Sequence, residues 1–445
     1  MANIAATNLF PYRPNHSRPL PEKRRRILQD DLRFHINRLA SITAPGKPAI
    51  TRLSYTEEES LALDYIAKNA EELGLTTSYD QFGNLHCLQA GSDPSLKRVL
   101  FGSHIDSVKR AGRFDGVTGV ISALESFKLL REAQITPLNT LEMIAFRGEE
   151  STRFDRALLG SSLLMGKLRT EDTANMKDSE GNSLKVALEQ TMAKIDPKKV
   201  VPWNLCFSDL LAFLEVHVEQ SSVLYRNRIP LGLVSIIASP ERYIINVTGQ
   251  SAHSGTAAMT ERKGKDAILT ACRFALEVNA LARKASKHGR HPVATIGDFR
   301  SFDGGMNQTA EAVEMKLDVR SINERSRRNL VQRIITTAKL MEKKEPPIRF
   351  NFEQKGIPSP PVLTDRNLLS LFKKISRDLG FHAITTPSFA GHDAQNFALK
   401  IPTGMIFIQS EKGISHNPNE SSEIQHIAQA TELLFNALLQ LASDK

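Results

Sequence analysis

The stretch 102–125, GSHIDSVKRAGRFDGVTGVISALE, constrains this chain more than any other. Val99, Leu100 and Phe101 lead into it as an apolar run that reads as a buried strand, and polar residues begin where that run stops. His104 opens the polar segment, Asp106 follows two residues on, and Asp115 sits in the turn Phe114-Asp115-Gly116. From 117 to 130 apolar residues recur at helical spacing, at Val117, Val120, Ile121, Leu124 and Phe127. Strand, polar loop and helix in that order put His104 and Asp115 at the carboxyl edge of a sheet, where open α/β sheets hold their ligands.

At 445 residues the chain exceeds what one ordinary core organises, so two domains are expected. No apolar run approaches the roughly eighteen residues of a membrane span, and no membrane partner is expected. Residues 1–26 carry several prolines and a basic cluster from Lys23 to Arg26, lack the apolar core of a signal peptide, and read as a loose lead-in. Cys87, Cys206 and Cys272 are scattered and form no C-x-x-C pair, which fits reduced thiols in a cytoplasm. The net charge of +9 raises the possibility of nucleic acid. The basic residues are spread along the chain without an aromatic-rich motif, however, so a solvated surface that favours anionic substrates is the expectation, with no nucleic-acid partner.

Leu28, Leu32, Ile36 and Leu39 fall on one helical stripe. A second helix starts at Thr56, where Glu59 three residues on completes a capping box, and Gly74 ends it. Strands are expected over 76–79, 85–88 and 141–146, the last running into Arg147-Gly148-Glu149-Glu150. Taken alone, that glutamate pair reads as a solvated loop. Apolar residues from Leu210 lead to His217, Glu219 and Gln220, and a strand over 231–237 follows. The pattern then changes to strand (243–247), loop with His253, helix (266–282), two strands (293–299 and 313–320) and helix (326–342), closed by Pro346-Pro347. This suggests a small α+β unit at 238–346, inserted into a larger α/β domain made of 1–237 and 347–445. Beyond it come a strand (350–353), a helix (367–379), a polar loop with His392 and Asp393, a buried strand (405–408), the loop GISHNPNE with His416, and an amphipathic helix (424–441).

His104, Asp115, Glu149 with Glu150, His217 and His416 each follow an apolar, strand-like run. A set of imidazoles and carboxylates without a thiolate suits divalent zinc, manganese, nickel or cobalt. One such histidine is weak evidence; five positions of the same kind are harder to dismiss. An aspartate can bridge two metals, which together activate water and polarise a carbonyl, while a free glutamate carries the proton.

The segments GSHIDS, GRFDGVTGV, the Glu149-Glu150 pair before Ser-Thr-Arg-Phe, HVEQ, AHSGT, DVRS, AGHDA and GISHNPNE occur in this order. In them the chain, from about Ile50 to its end, resembles the hydantoinase/carbamoylase branch of dinuclear metallopeptidase-like amidohydrolases. That branch includes N-carbamoyl-L-amino-acid amidohydrolases, β-ureidopropionases and allantoate amidohydrolases. The resemblance implies an α/β metallopeptidase-like catalytic domain with an inserted α+β domain for dimerisation and closure, hence a homodimer. It implies two divalent ions per subunit, zinc first, one held by His104, Asp115 and His217 and the other by Asp115, Glu150 and His416. It makes Glu149 the general base and then acid, has Asp106 fix the tautomer of His104, and has His253 stabilise the oxyanion, in the family at the partner subunit's site. Arg320 would clamp a substrate carboxylate bidentately, with Gln220, Asn307 and His392 completing the pocket. The implied reaction is hydrolysis of a linear amide or ureido C–N bond in a small carboxylate-bearing substrate. N-carbamoyl-L-amino acids come first, with allantoate, other ureido acids or N-acyl amino acids as alternatives.

The chain departs from the family pattern at Ser221-Ser222, where Gly-Pro is usual, at Lys109-Arg110-Ala111, which replaces a more glycine-rich turn, and after His253. There a proline before Met259 is missing and 260–265 runs about two residues longer. None of these touches an implied ligand, so they bear on the substrate more than on the chemistry.

Overall fold

The computed structural model describes residues 17–46, 49–204, 206–255, 266–286, 292–356 and 358–442. The departure after His253 therefore lies outside the described residues from Thr256 to Lys265.

The chain opens with helices α1 (Glu22–Ala40) and α2 (Glu57–Glu72), then strands β1 (Thr76–Tyr79), β2 (Leu85–Gln89) and β3 (Arg98–His104), helix α3 (Val117–Glu132) and strand β4 (Leu141–Phe146). Short helices α4 (Leu159–Leu164) and α5 (Leu184–Met192) precede β5 (Leu210–Val218), α6 (Val223–Asn227) and β6 (Leu231–Ile237). Next come β7 (Ser239–Thr248), α7 (Ala267–Ala285), β8 (Val293–Phe302), β9 (Ala312–Ser321), α8 (Glu324–Lys344) and β10 (Arg349–Lys355). The chain ends with β11 (Val362–Leu363), α9 (Arg366–Asp378), β12 (Ala383–Ser388), α10 (Ala394–Phe397), β13 (Thr403–Ile408) and α11 (Ile424–Leu441).

Two compact units result, 1–235 with 363–445, and 236–362. The second boundary lies later than Pro346-Pro347, the expected end of the insertion. The reason is backbone pairing: β10 runs antiparallel to β7, with Phe350 opposite Val247, and completes the sheet order β10-β7-β9-β8. The lead-in expectation also needs correcting, because Lys23 to Arg26 lie inside α1. Arg24 and Arg25 are anchored there to Glu132 and Glu432, which turns basic residues into packing residues.

In the larger unit the sheet runs β1-β2-β4-β3-β5-β13-β6, with β12 also on β6. Strands β4, β3, β5 and β13 are mutually parallel, so their carboxyl ends share one edge. Their residues read as continuous apolar runs because both faces are covered. Helix α3 is buried along nearly its whole length between the sheet and α1 and α11. In the smaller unit β7 and β9 alternate buried and part-exposed residues, and helices α7 and α8 contribute Phe274, Val278, Leu330 and Ile334 to the core over one face. Among the described residues, no helix is long and apolar enough to cross a membrane.

A buried charged knot holds β2 to β4. His86 lies with Nδ1 2.8 Å from Glu142 Oε1 and Nε2 3.3 Å from Asp80 Oδ2, and the Trp203 ring covers it at 5.2 Å. Burial alone would lower the pKa of His86, but its hydrogen bonds to the Asp80 and Glu142 carboxylates outweigh it and raise the value to about 9. The folded value lies above the roughly 6.5 of an unfolded histidine, so the stabilisation is complete below that pH and is lost as pH rises through about 9. Urea unfolding across this window should show stability falling by roughly 3 kcal/mol in the wild type and a flatter profile in His86→Gln. Parallel profiles would show that the imidazolium contributes nothing.

Candidate active site

His104 is the last residue of β3 and His217 the penultimate residue of β5. Glu149 and Glu150 follow β4, and His416 lies on the loop after β13. Parallel pairing thus brings four separate segments to one edge. Asp115 enters from the turn before α3, where Gly116 has φ +68° and lies so close to His104 that a Cβ would fall 2.4 Å from its ring.

Two groups of ligand atoms share Asp115. In the first, His104 Nε2 and His217 Nε2 are 3.3 Å apart and lie 3.4 and 3.0 Å from Asp115 Oδ1. His217 Nδ1 donates to the Val218 carbonyl at 2.9 Å, and His104 Nδ1 faces Asp106, 3.3 Å from its carbonyl and 3.4 Å from Oδ1. These contacts turn both Nε2 atoms toward each other and toward a buried Asp115 Oδ1 that has no hydrogen-bond partner among the described residues. A cation between the three atoms resolves that conflict, so the residues fit a metal. In the second group, His416 Nε2 lies 2.9 Å from Glu150 Oε1 and 3.4 Å from Asp115 Oδ2. A third cluster, Glu215, His217 and His392, has the right residue types. Its Glu215 oxygens are already taken by Ser103 Oγ (2.8 Å) and the Ala394 amide (2.9 Å), and His392 Nε2 by Ser388 Oγ (2.8 Å), so it fits a cation less well.

The electrostatics follow. Asp115 is held well below the usual carboxylate range: burial opposes this, but His217, His104 and His416 together outweigh it. Glu149 is pushed well above that range, by burial first and then by Glu150, Asp393 and Asp106 against the opposing pull of His104. A carboxyl so placed holds a proton readily, the property a proton shuttle needs.

Asp106 orients more than His104. Its carboxylate accepts the amides of Glu149 (2.9 Å) and Glu150 (3.0 Å) and the Ser54 hydroxyl (2.9 Å), so it also sets the glutamate loop. Glu59 secures the other side of that loop. Its carboxylate accepts Gly148 N at 3.0 Å and Arg147 Nη1 at 2.6 Å. The capping box is therefore only half made. Thr56 Oγ1 accepts Glu59 N, but the Glu59 side chain turns to Tyr55 N, Arg147 and Gly148.

Other positioning residues escaped the sequence reading. Glu420 Oε2 accepts the amides of Phe114 (2.8 Å) and Asp115 (3.3 Å), while Ser415 Oγ lies between Asp115 Oδ2, to which it donates, and Glu420 Oε1 at 3.1 Å. Both residues lie in GISHNPNE, so their presence in that motif was the available signal. Gln220 Nε2 donates to Asp115 Oδ2 at 2.7 Å, which ties it to the shared carboxylate. Lys109 and Arg110 are exposed, while Arg110 N and Ala111 N bond Thr51 and Ile50, so this turn is pinned to the 50–51 segment. Ser221 packs under Gly413, whose Cβ would lie 2.2 Å from the Ser221 carbonyl, and so supports the loop that carries His416.

His253, Asn307 and Arg320 belong to the smaller unit. His253 and Asn307 lie on adjoining loops, with Ser254 N donating to the Asn307 carbonyl at 2.7 Å. Arg320, near the end of β9, donates from Nε to Asp318 Oδ1 at 2.8 Å and from Nη2 to Asp318 Oδ2 at 3.2 Å. The structure thus gathers His104, Asp106, Asp115, Glu149, Glu150, His217, Gln220, His392 and His416 in the larger unit and the remaining three expected residues in the smaller one.

Residues 100–440 match the family described as Peptidase family M20/M25/M40. The chain is 33% identical over 414 residues to an N-carbamoyl-L-amino-acid amidohydrolase of Pseudomonas sp. (strain NS671), covering 93% of this chain and 98% of that protein. It is 30% identical to an allantoate amidohydrolase of Escherichia coli (strain K12), over 92% of this chain and 96% of that one. A crystal structure of an amidase of the hydantoinase/carbamoylase family from Burkholderia multivorans superposes with a TM-score of 0.80 at 28% identity, over 94% and 98% of the two chains. A family match across most of the length, and relatives matched almost end to end, place the conclusion beyond the single motifs: the chain belongs to Peptidase family M20/M25/M40, in its hydantoinase/carbamoylase branch of amidohydrolases.

Proposed function

We propose that the protein hydrolyses the ureido C–N bond of an N-carbamoyl-L-amino acid, releasing the amino acid, carbon dioxide and ammonia. The observation that carries this reading is the buried Asp115 shared by two ligand groups next to a glutamate that retains its proton readily. The two metal positions would be held by His104, Asp115 and His217, and by Asp115, Glu150 and His416. The imidazole–carboxylate donors suit zinc first, with manganese, nickel or cobalt as alternatives. Divalent ions there would polarise the scissile carbonyl and acidify a water molecule. Glu149 accepts the proton of the attacking water and returns it to the departing nitrogen, so one buried group serves both halves of the reaction. Asp106 keeps the Glu149 amide and His104 in a fixed relation throughout. For Gln220, His392, Asn307, Arg320 and His253, the substrate-binding and oxyanion roles rest on the family resemblance. The second reading, an allantoate amidohydrolase, draws on the E. coli relative. Metal analysis followed by a panel of carbamoyl, ureido and acyl amino acids separates the two. Turnover of none of them by metal-loaded protein would end both readings.

A homodimer formed through the smaller unit belongs to this proposal. Its edge strand β8 leaves Phe299 and Phe302 39% and 46% exposed, more apolar surface than a lone edge strand normally shows to water. Sedimentation equilibrium should give twice the chain mass, and a monomer at every concentration would remove the dimer.

Glu149→Gln should retain both metals and lose on the order of 10²–10⁴-fold in kcat. Near-normal turnover by that variant would strip Glu149 of its role. Glu420→Ala removes the acceptor of the Phe114 and Asp115 amides, so Asp115 loses its setting. Chelator competition should show metal affinity lowered about 10–100-fold, and an unchanged affinity would make Glu420 a bystander.

A further inference from the structure

A cavity of about 310 Å³ lies between α2, β1 and the end of α5, lined by residues of the larger unit that the proposed chemistry does not use. Its acids are already engaged. Glu71 pairs with Lys199 Nζ, Asp64 accepts the Tyr79 hydroxyl at 3.1 Å, and Asp196 accepts the Lys198 amide at 3.0 Å. Its other cations are not: Lys68 and Lys194 are exposed and form no ion pair among the described residues. Arg147 also lines the cavity and is only 1% exposed. Its Nε donates to the Gly83 carbonyl at 2.7 Å, and Nη1 donates to Glu59 Oε2 at 2.6 Å and to the Ser60 hydroxyl at 3.2 Å. Nη2 makes no hydrogen bond to the described residues. A buried guanidinium with an unused donor, lining one cavity with two lysines that form no ion pair among the described residues, is an arrangement that can recognise a small oxyanion.

We propose that this cavity is an effector site for a small dianion, a phosphate or a short dicarboxylate. The carboxylate of Glu59 that balances Arg147 also accepts Gly148 N, the residue before Glu149. An anion on Nη2 competes with Glu59 for the guanidinium and loosens the clamp on the glutamate loop. Occupancy therefore lowers kcat while leaving KM for the substrate unchanged. Binding itself does not depend on the proposed hydrolysis; only the effect on turnover rests on it.

Titration calorimetry of the metal-loaded enzyme with inorganic phosphate and, separately, with succinate at constant ionic strength tests the site and tells the two chemistries apart. At least one anion should bind saturably, and the double variant Lys68→Ala/Lys194→Ala should weaken it about tenfold with basal turnover unchanged. No saturable binding of either anion would overturn the proposal. So would binding that the double variant leaves intact, since that places the anion elsewhere, at the catalytic edge. Binding lost in the variant but without any effect on wild-type kcat would overturn the coupling to the glutamate loop.

Discussion

Like charge and lone pairs crowded at one sheet edge are the constraint around which this fold is arranged. Two imidazole nitrogens 3.3 Å apart, beside a carboxylate oxygen with no hydrogen-bond partner among the described residues, are unfavourable in a dry interior unless something positive lies between them. A soft scaffold would relax the conflict by turning one ring away. Here His104 and His217 sit on neighbouring parallel strands, their Nδ1 sides face protein acceptors, and Gly116 closes against the His104 ring. The conflict is kept, and it becomes affinity for a cation.

Keeping it requires a second ring of buried polar residues whose own needs are met. Asp106 is the clearest case, because one carboxylate faces a ligand histidine and holds the amides on which Glu149 and Glu150 hang. Glu420 does the same for the turn of Asp115, and Glu59 with Arg147 for the approach to the glutamates. Arg52 extends the pattern without any carboxylate. It is 1% exposed and spends its donors on the carbonyls of Leu39, Ile42 and Ile105, which ties the end of α1 to the exit of β3. Each removes a direction in which the edge could relax.

How much of this was legible in the sequence depended on whether the information was local. The apolar runs of β3, β4, β5 and β13 and the polar residues beyond them were readable because strand burial and its end are written in consecutive residues. The helical stripes of α1, α2 and α11 were equally plain. What stayed hidden was partner choice. Glu59 looked like half of a capping box, and only the fold reveals that Arg147 and Gly148, 88 and 89 residues away, compete for it and win. The basic cluster of α1 looked like a solvated tail because Glu132 and Glu432 lie more than 100 and 400 residues away. Strand β10 was recognised as a strand, but its pairing with β7, and hence the unit it belongs to, is a non-local fact.

The two ligand groups around Asp115 differ in how they are supported, and the departure at Ser221-Ser222 bears on that difference. His104 and His217 are carried by central strands and are almost wholly buried, whereas His416 rides a loop, has φ +55° and keeps 45% of its side chain exposed. That loop needs a buttress. It has one in Gly413, which sits against the Ser221 carbonyl, while Glu219 accepts the amides of Val223 and Leu224 and fixes the segment from below. Ser221 also donates to Glu219, a bond that a glycine there could not make. Ser221 therefore adds a hydrogen bond at the position where the family has glycine, in the segment that supports the loop of the more exposed ligand set. In this chain, a departure from the family pattern that looks like a substrate-side change acts through the support of a ligand loop.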